Sequence, residues 1–211
     1  MIERAYTVKD ILNKKYKLFD FGGEWEEAFS KPERCGVWFV WGNSGNGKTR
    51  FTMQLAKYLT GFGKVLYNSL EEGSSHTIRK AFEEVGMSEV KKKMLLVSES
   101  LEKLNQRLEK QRSSNIIIID SFQYAQISYK QYIAFKEKHH NKLIIFISHA
   151  DGKQPAGRSA KSVMYDATLK IWVEGFKAFS KGRYIGSKGQ LTIWEEGASR
   201  YWQENENEFN N

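Results

Sequence analysis

The stretch GVWFVWGNSGNGKT, residues 36–49, joins an uncharged run to a glycine-rich turn. The run from Gly36 to Gly42 lacks charged side chains, which is typical of a strand buried on both faces of a parallel sheet. From Gly42 to Thr49 the sequence matches G-x-x-x-x-G-K-[ST], the phosphate-binding loop, and apolar residues at helical spacing predict a helix from Lys48 to Leu59. The motif thus lies between a strand and a helix, which is the context that it requires.

Each residue type in this loop has a chemical reason. The glycines allow consecutive backbone N–H groups to turn inward around a phosphate, next to the partial positive charge of a helix N-terminus. Lys48 is predicted to contact the β- and γ-phosphates of ATP, and the Thr49 hydroxyl is predicted to coordinate Mg²⁺. The predicted nucleotide-binding residues of the loop and the following helix are Gly42, Asn43, Ser44, Gly45, Asn46, Gly47, Lys48, Thr49 and Phe51.

A second apolar run, Ile116 to Asp120, ends on a carboxylate. A Mg²⁺ ion on nucleotide phosphates needs such an acid, and open α/β sheets bind their ligands at the carboxyl ends of the strands. We therefore predict Asp120 as a Mg²⁺ ligand together with Thr49. Asp120 follows Lys48 by 72 residues (120 − 48), which leaves room for two strands. This spacing predicts a strand between these two in the sheet and favours an ATPase over a nucleotide kinase.

Two glutamates, Glu71 and Glu72, follow the strand predicted from Lys64 to Leu70. They would reach the same edge of the sheet as Asp120, where one of them would polarise the attacking water as a general base. Paired glutamates after a strand are also common as solvated residues. Spacing alone does not choose between the two carboxylates.

Strands alternate with helices of roughly 10 to 15 residues, which predicts an α/β fold with a mainly parallel central sheet and helices on both of its faces. Antiparallel strands are predicted near the end of the chain. The other predicted strands are Met94–Val97, Leu143–Ser148, Thr168–Val173, Lys177–Ser180 and Gln190–Trp194, and the other predicted helices are Thr7–Lys14, Thr77–Val85, Ser100–Arg112 and Lys130–His139. We divide the chain into a lead-in of residues 1–35 whose aromatic side chains pack on the core, a domain of residues 36–203, and a polar tail of residues 204–211.

The composition is that of a globular protein with an excess of basic side chains. Hydrophobic residues make up 40% of the chain and charged residues 27%, and no apolar run reaches the roughly 20 residues that span a bilayer. The single cysteine, Cys35, excludes an internal disulfide, as is usual in a reducing compartment. A formal charge of +8 favours a polyanionic partner such as nucleic acid. We expect a cytoplasmic chain without membrane contact.

Together these motifs resemble the RecA-like P-loop ATPase superfamily, in the branch of the DnaB-type replicative helicases, RadA/Sms and KaiC. The resemblance covers residues 36–194. Besides the P-loop and the Asp120 strand, it rests on Ser69-Leu70-Glu71, which is similar to the S-L-E of DnaB and KaiC, and on Ile147-Ser148-His149. The resemblance implies that Glu71 activates water and that His149 is the polar sensor of the γ-phosphate.

The resemblance also implies residues that act outside the chain's own nucleotide site. Lys181 and Arg183 resemble the K-x-R of DnaB and RadA, cations that reach the ATP of a neighbouring subunit in a ring or filament. The stretch from Asp151 to Tyr165 lies where the family carries a DNA-contacting loop. In that stretch Lys153, Arg158 and Lys161 are the predicted contacts to single-stranded DNA.

The sequence departs from the family in lacking the N-terminal helical domain of DnaB, the zinc finger and protease-like domain of RadA, and the second ATPase copy of KaiC. The favoured reading is a Mg-dependent ATPase, a core motor or switch that works in DNA replication, recombination or repair, with a phage or another mobile element as one source. The alternative is an ATP-dependent oligomeric switch or scaffold that acts on a protein partner without DNA. A small-molecule kinase is disfavoured, because no arginine cluster for a lid lies between Asp120 and the sensor strand.

Overall fold

The computed structural model describes residues 5–209, and the side chains of residues 5–204. Helices and strands alternate through the middle of the chain. The helices are α1 (Val8–Asn13), α2 (Glu24–Phe29), α3 (Lys48–Leu59), α4 (His76–Val85), α5 (Leu101–Leu108), α6 (Phe122–Ala125), α7 (Tyr129–Lys138), α8 (Arg158–Asp166) and α9 (Glu195–Phe209), with a short 3₁₀ helix at Met87–Val90. The strands are β1 (Gly36–Gly42), β2 (Val65–Ser69), β3 (Met94–Val97), β4 (Ile116–Asp120), β5 (Leu143–Asp151), β6 (Gln154–Pro155), β7 (Leu169–Glu174), β8 (Lys177–Gly182) and β9 (Gln190–Thr192).

The strands form one sheet in the order β3-β2-β4-β5-β1-β7-β8-β9, with β6 paired to β5 alone. Strands β3, β2, β4, β5, β1 and β7 run parallel, whereas β8 and β9 are antiparallel additions. This arrangement confirms the predicted mainly parallel sheet with antiparallel strands at the end. Strand β5 lies between β1 and β4, as the spacing of Lys48 and Asp120 predicts.

Burial of both faces of the sheet holds these strands in register. In β4, Ile116 and Ile118 belong to the core on the face covered by α2, α3 and α4, while Ile117 and Ile119 belong to the core on the opposite face. Successive side chains of a strand point to opposite faces, so an unbroken isoleucine run fills both cores at once. The predicted cover of helices on both faces is therefore confirmed.

Several helix ends follow from local sequence. Serines at positions 75, 100 and 128 cap α4, α5 and α7, each accepting a hydrogen bond from a backbone N–H in the first turn. Gly86 ends α4 in the left-handed conformation, with φ at 69°. Helix α5 ends at Leu108, so the prediction of a helix as far as Arg112 was too long.

Aromatic residues of the lead-in divide into two groups. Phe19, Phe21 and Phe29 are almost fully buried in the same core as α3, which confirms that they pack on the domain. Tyr6 and Tyr16 remain exposed, so the prediction was wrong for them. Within the described residues, no helix is both long and apolar enough to cross a bilayer.

The second half of the chain is more regular than the sequence indicated. The stretch from Asp151 to Tyr165, predicted as a mobile loop, contains a tight β5–β6 hairpin and most of α8. Asp166 does not open a strand; it ends α8, and its carboxylate accepts hydrogen bonds from Tyr132 and from Lys136, the latter at 2.6 Å. Helix α9 was not predicted and continues through residues 204–209 of the expected polar tail. The domain boundaries themselves remain a prediction, and residues 210 and 211 lie outside the described part.

Candidate active site

The carboxyl ends of the central parallel strands open onto one cleft with a volume of about 770 Å³. Register places Gly42 of β1 beside His149 of β5, and Asp120 of β4 beside Ile147 of β5. The described residues that line the cleft are Ser44, Gly45, Gly47, Lys48, Thr49, Arg50, Glu71, Glu72, Glu84, Asp120, Ile147, His149, Phe176 and Trp194. Five residues that were singled out from distant parts of the sequence therefore meet at one edge of the sheet.

The loop between β1 and α3 is held open by positive backbone φ angles and by a neighbouring turn. Gly45 and Gly47 have φ at 80° and 90°, values that favour glycine. The Asn46 side chain accepts a 2.7 Å hydrogen bond from the backbone N–H of Gly175, and the Asn46 carbonyl accepts one from Phe176. A Cβ at Gly47 would lie 2.9 Å from the Phe176 ring. The β7–β8 turn thus fixes the shape of the phosphate-binding loop.

Asp120 is a buried acid at the inner end of the cleft. Burial raises its pKa, while the hydroxyl of Tyr67 and the ammonium of Lys48 act in the opposite direction. Tyr67 is fully buried and donates a short hydrogen bond to the Asp120 carboxylate. Burial, followed by the neighbouring carboxylate, raises the pKa of Tyr67 well above its usual range, so the phenol keeps the proton that it donates.

The donor set in the cleft fits Mg²⁺ together with nucleotide phosphates. Among the described residues, no group of three or more His, Cys, Asp and Glu side chains is arranged to hold a metal by itself. Mg²⁺ is usually bound through one or two carboxylates plus substrate phosphates and water rather than by an all-protein cage. Asp120 and the Thr49 hydroxyl supply such a partial set, and a cation there would compensate the buried carboxylate.

The two adjacent glutamates are in different environments. Glu71 Oε2 lies 3.0 Å from His149 Nε2, and both side chains are about one-third exposed to solvent. Glu72 accepts a short hydrogen bond from the Thr77 hydroxyl and a longer one, 3.5 Å, from Ser75, in the first turn of α4. Glu72 is therefore engaged in ordering α4, while Glu71 faces the histidine at the end of β5.

His149 is tied by its backbone to the segment that follows Asp120. Gln123 Oε1 accepts a 3.2 Å hydrogen bond from the His149 backbone N–H. The Gln123 amide nitrogen donates to Ser148 Oγ at 2.8 Å and to the Ala156 carbonyl at 3.0 Å. One side chain thus joins α6, the end of β5 and the segment before α8, and sequence reasoning gave no indication of it.

An aromatic wall of the cleft was also missed. The Phe176 and Trp194 rings meet edge to face at 5.0 Å, and the Arg50 guanidinium lies 5.6 Å from the Trp194 ring. The Phe176 carbonyl accepts a 2.8 Å hydrogen bond from Ile193, which brings Trp194 to the cleft. The only available signal was the aromatic character of these residues, and the chain has many others.

Several of the predicted site residues lie elsewhere. The assignment of Phe51 to the nucleotide was wrong, because its side chain is fully buried in the core between Trp25 and Phe29. Lys181 pairs with Lys170, which lies opposite Phe39, three residues before Gly42; Lys181 and the exposed Arg183 are therefore displaced from the chain's own cleft towards the other end of β1.

The three predicted DNA contacts do not share one loop. Lys153 is exposed in the turn between β5 and β6. Arg158 is exposed at the start of α8, and Lys161 lies one turn further along the same helix, partly buried. The segment that carries them is ordered by hydrogen bonds from Asn43 to the Gly152 carbonyl, at 3.3 Å, and from Trp41 to the Lys153 carbonyl, at 3.2 Å.

Comparison with known proteins gives structural matches only. No protein-family model and no curated protein matches the sequence. The flagellar accessory protein FlaH from Methanocaldococcus jannaschii is 15% identical, with 83% of this chain and 91% of that chain covered and a TM-score of 0.58. A KaiC-like protein from Pyrococcus horikoshii OT3 is 16% identical over 79% and 93% of the two chains, with a TM-score of 0.55.

A third solved structure, the ATPase domain of a DnaB-like protein, is 15% identical over 78% of this chain and 84% of that chain, with a TM-score of 0.51. Identities this low carry the fold and not the activity. The order of strands, the loop after β1 and these three neighbours agree with one another. The chain has the RecA-like P-loop ATPase fold of the DnaB/KaiC type.

Proposed function

We propose that the chain binds Mg-ATP in the cleft, hydrolyses it, and uses the reaction to act on DNA in replication, recombination or repair. The observation that carries the proposal is the meeting of Lys48, Thr49, Glu71, Asp120 and His149 at one edge of the sheet. Each has the chemistry that one part of phosphoryl transfer to water needs.

The side chains divide the work of the reaction. Backbone N–H groups of the loop and the Lys48 ammonium bind the β- and γ-phosphates and stabilise the charge that develops on the oxygen between them. Glu71 accepts a proton from water as the water oxygen attacks the γ-phosphorus. The bond from the γ-phosphorus to the bridging oxygen breaks, and its electron pair leaves with ADP.

His149 and the metal ligands complete the proposed site. The His149 Nε2–H donates to Glu71, which orients the carboxylate and connects it to the end of β5. Thr49 and Asp120 would hold Mg²⁺, which when bound supplies positive charge to the phosphate oxygens. Phe176 and Trp194 offer an apolar wall on which the nucleobase would pack.

Replacing Lys48 tests the phosphate-binding assignment. In Lys48→Ala we expect kcat for ATP hydrolysis to fall by a factor on the order of 100 to 1000, because the transferring phosphoryl group loses its fixed cation. Lys64→Ala is the matched control, since Lys64 is exposed before β2, at the opposite end of that strand from the cleft. Phosphate release by the purified chain is the measurement, and normal turnover in Lys48→Ala would refute the site.

The paired variants Glu71→Gln and Glu72→Gln separate the base from its neighbour. We expect Glu71→Gln to lower kcat by about 100- to 10,000-fold with ATP still bound, because the amide cannot accept the proton. Glu72→Gln keeps an acceptor for Thr77, so its kcat should stay within about threefold of the parent chain. Single-turnover hydrolysis and ATP-binding titrations measure both effects. A larger loss of kcat in Glu72→Gln than in Glu71→Gln would overturn the assignment.

Action on DNA is supported by charge and by contacts near the cleft. The chain has a formal charge of +8, and Lys153 and Arg158 are exposed in the segment beyond β5. This segment accepts hydrogen bonds from Asn43 in the phosphate-binding loop and from Gln123, which also bonds the backbone of His149. A strand held on these cations would therefore contact the same segment that the nucleotide loop and the sensor touch.

Single-stranded DNA should accelerate ATP hydrolysis in a salt-dependent manner. Cations that neutralise phosphates release counterions, so the affinity for a single strand falls by about 0.7 decades per phosphate contact for each decade of salt. We expect stimulation at low salt that is lost as salt rises, while the rate without DNA changes little. ATPase assays with oligothymidylate at increasing salt measure this. A rate that DNA leaves unchanged at every salt concentration would favour the protein-directed switch instead.

Arg183 is proposed to act in the site of a neighbouring subunit. It is exposed and does not line the chain's own cleft, which is what a residue working in a second copy requires. Lys181 lies two positions away on the same strand end and would accompany it. We therefore propose a homo-oligomer, ring or filament, in which each cleft receives cations from the next copy.

Mixing two inactive variants tests this arrangement. Lys48→Ala lacks the phosphate cation and Arg183→Ala lacks the proposed neighbouring cation, so each alone should be inactive in hydrolysis. In a mixture, some sites combine an intact loop with an intact Arg183, and about a quarter of parental activity should return at equal amounts if copies mix at random and only neighbours matter. Lys188→Ala, which removes another exposed cation of the same β8–β9 connection, should hydrolyse ATP normally. Full activity of Arg183→Ala alone would contradict the proposal.

A further inference from the structure

A groove between α8 and α9 lies over strands β1, β7 and β8 and has a volume of about 500 Å³. Its lining combines aromatic rings with lysines and shares no residue with the nucleotide cleft. We call it the aromatic–lysine groove; its aromatic members are Trp41, Tyr165, Trp172, Phe179 and Trp202, and its lysines are Lys153, Lys170 and Lys181.

The groove has a fixed floor and two side walls. Trp41 and Trp172, both at least 94% buried, have ring centroids 5.7 Å apart and form the floor. Tyr165 of α8 is 70% exposed. Trp202 of α9 is held by a 3.1 Å hydrogen bond from its Nε1 to the Gly175 carbonyl and packs edge to face on Phe179. Flat apolar faces are therefore presented on two different helices over a rigid base.

The charge of the groove is complementary to a polyanion. Three lysines come from different elements: Lys153 from the β5–β6 turn, Lys170 from β7 and Lys181 from β8. Glu174 is the one carboxylate among the described lining residues, and it already accepts a 3.0 Å hydrogen bond from the Trp172 Nε1. Lys170 lies 5.9 Å from the Tyr165 ring centroid, which places a cation directly beside an exposed aromatic face.

We propose that the aromatic–lysine groove binds single-stranded DNA, with bases stacked on Tyr165 and Trp202 and phosphates near the lysines. Stacking platforms flanked by cations suit single strands, because every base has a π-face and the backbone is a line of negative charge. A paired duplex keeps its bases stacked inside and offers none to Tyr165, whereas an apolar peptide would leave the lysines without partners. This inference rests on the proposed action on DNA and extends the predicted contact at Lys153 into a defined site.

Two variants separate stacking from charge. The assay is the fluorescence anisotropy of a dye-labelled oligothymidylate titrated with the full chain, without nucleotide, over a range of salt. In Tyr165→Ala we expect the affinity to fall roughly 5- to 100-fold with an unchanged salt slope. In Lys170→Ala we expect the slope of log affinity against log salt to become shallower by about 0.7.

A second tyrosine and lysine pair provides the matched control. Tyr16 is 47% exposed, and Lys14 lies 5.3 Å from its ring centroid, outside the groove. Tyr16→Ala and Lys14→Ala should leave both the affinity and the salt slope unchanged. Thermal unfolding midpoints of all four variants check that the fold is intact.

Each outcome decides the proposal. Loss of affinity in Tyr165→Ala but not in Tyr16→Ala supports the groove. Unchanged affinity in Tyr165→Ala, equal losses in both tyrosine variants, or no oligothymidylate binding by the parent chain overturns it. ATP hydrolysis is judged separately by Lys48→Ala, so a chain that hydrolyses ATP without using the groove, or uses the groove without hydrolysing ATP, reveals which proposal failed.

Discussion

The candidate site depends on the parallel register of β1, β5, β4 and β2. Because these strands end at the same edge, Gly42, Asp120 and His149 reach one cleft without any long-range search by flexible loops. Burial on both faces holds that register. A slip of one residue in β4 would exchange the cores that its four isoleucines fill and move Asp120 away from its partners, and each buried isoleucine contributes about 1.5 to 3 kcal/mol against such a change.

The same burial makes Asp120 a strained group in electrostatic terms. A carboxylate removed from water is disfavoured, and its pKa is raised accordingly. Tyr67, on the neighbouring strand β2, and Lys48, at the start of α3, offset part of this cost. The remaining deficit of positive charge is what makes this end of the cleft suited to a divalent cation with phosphates, since the ion would complete the compensation that the protein leaves partial.

Sequence reasoning worked where one local pattern determines the structure. Runs such as Gly36–Gly42 and Ile116–Asp120 are apolar and end at a glycine or an acid, so their strand boundaries were predicted to the residue. It was less accurate where composition and periodicity disagree. The stretch before Asp166 is rich in glycine, serine and lysine, which indicates a loop, yet Ala160, Val163 and Met164 recur at helical spacing and bury one face of α8.

Contacts made only by the tertiary fold could not be predicted. Phe51 and Phe176 are both aromatic residues near the phosphate-binding loop, but their environments are opposite. Phe51 lies on the face of α3 that packs into the core, whereas Phe176 reaches the cleft through a turn in which its own φ is positive, 58°. Neither the helical register alone nor a turn preference assigns a side chain to a cleft. The sheet order, which brings β7 and β8 beside β1, makes that assignment.

The fold also connects the nucleotide cleft to the aromatic–lysine groove. Trp41 is part of the groove floor and directly precedes Gly42, and it donates a hydrogen bond to the Lys153 carbonyl, while Asn43 donates to the Gly152 carbonyl. A change in the loop between Gly42 and Lys48 would therefore alter two hydrogen bonds that hold the β5–β6 turn. Coupling between two sites is reciprocal: if ATP changes the affinity of the groove for a strand, the strand must change the affinity for ATP by the same factor. The direction of that change depends on which arrangement of the turn each ligand contacts more favourably.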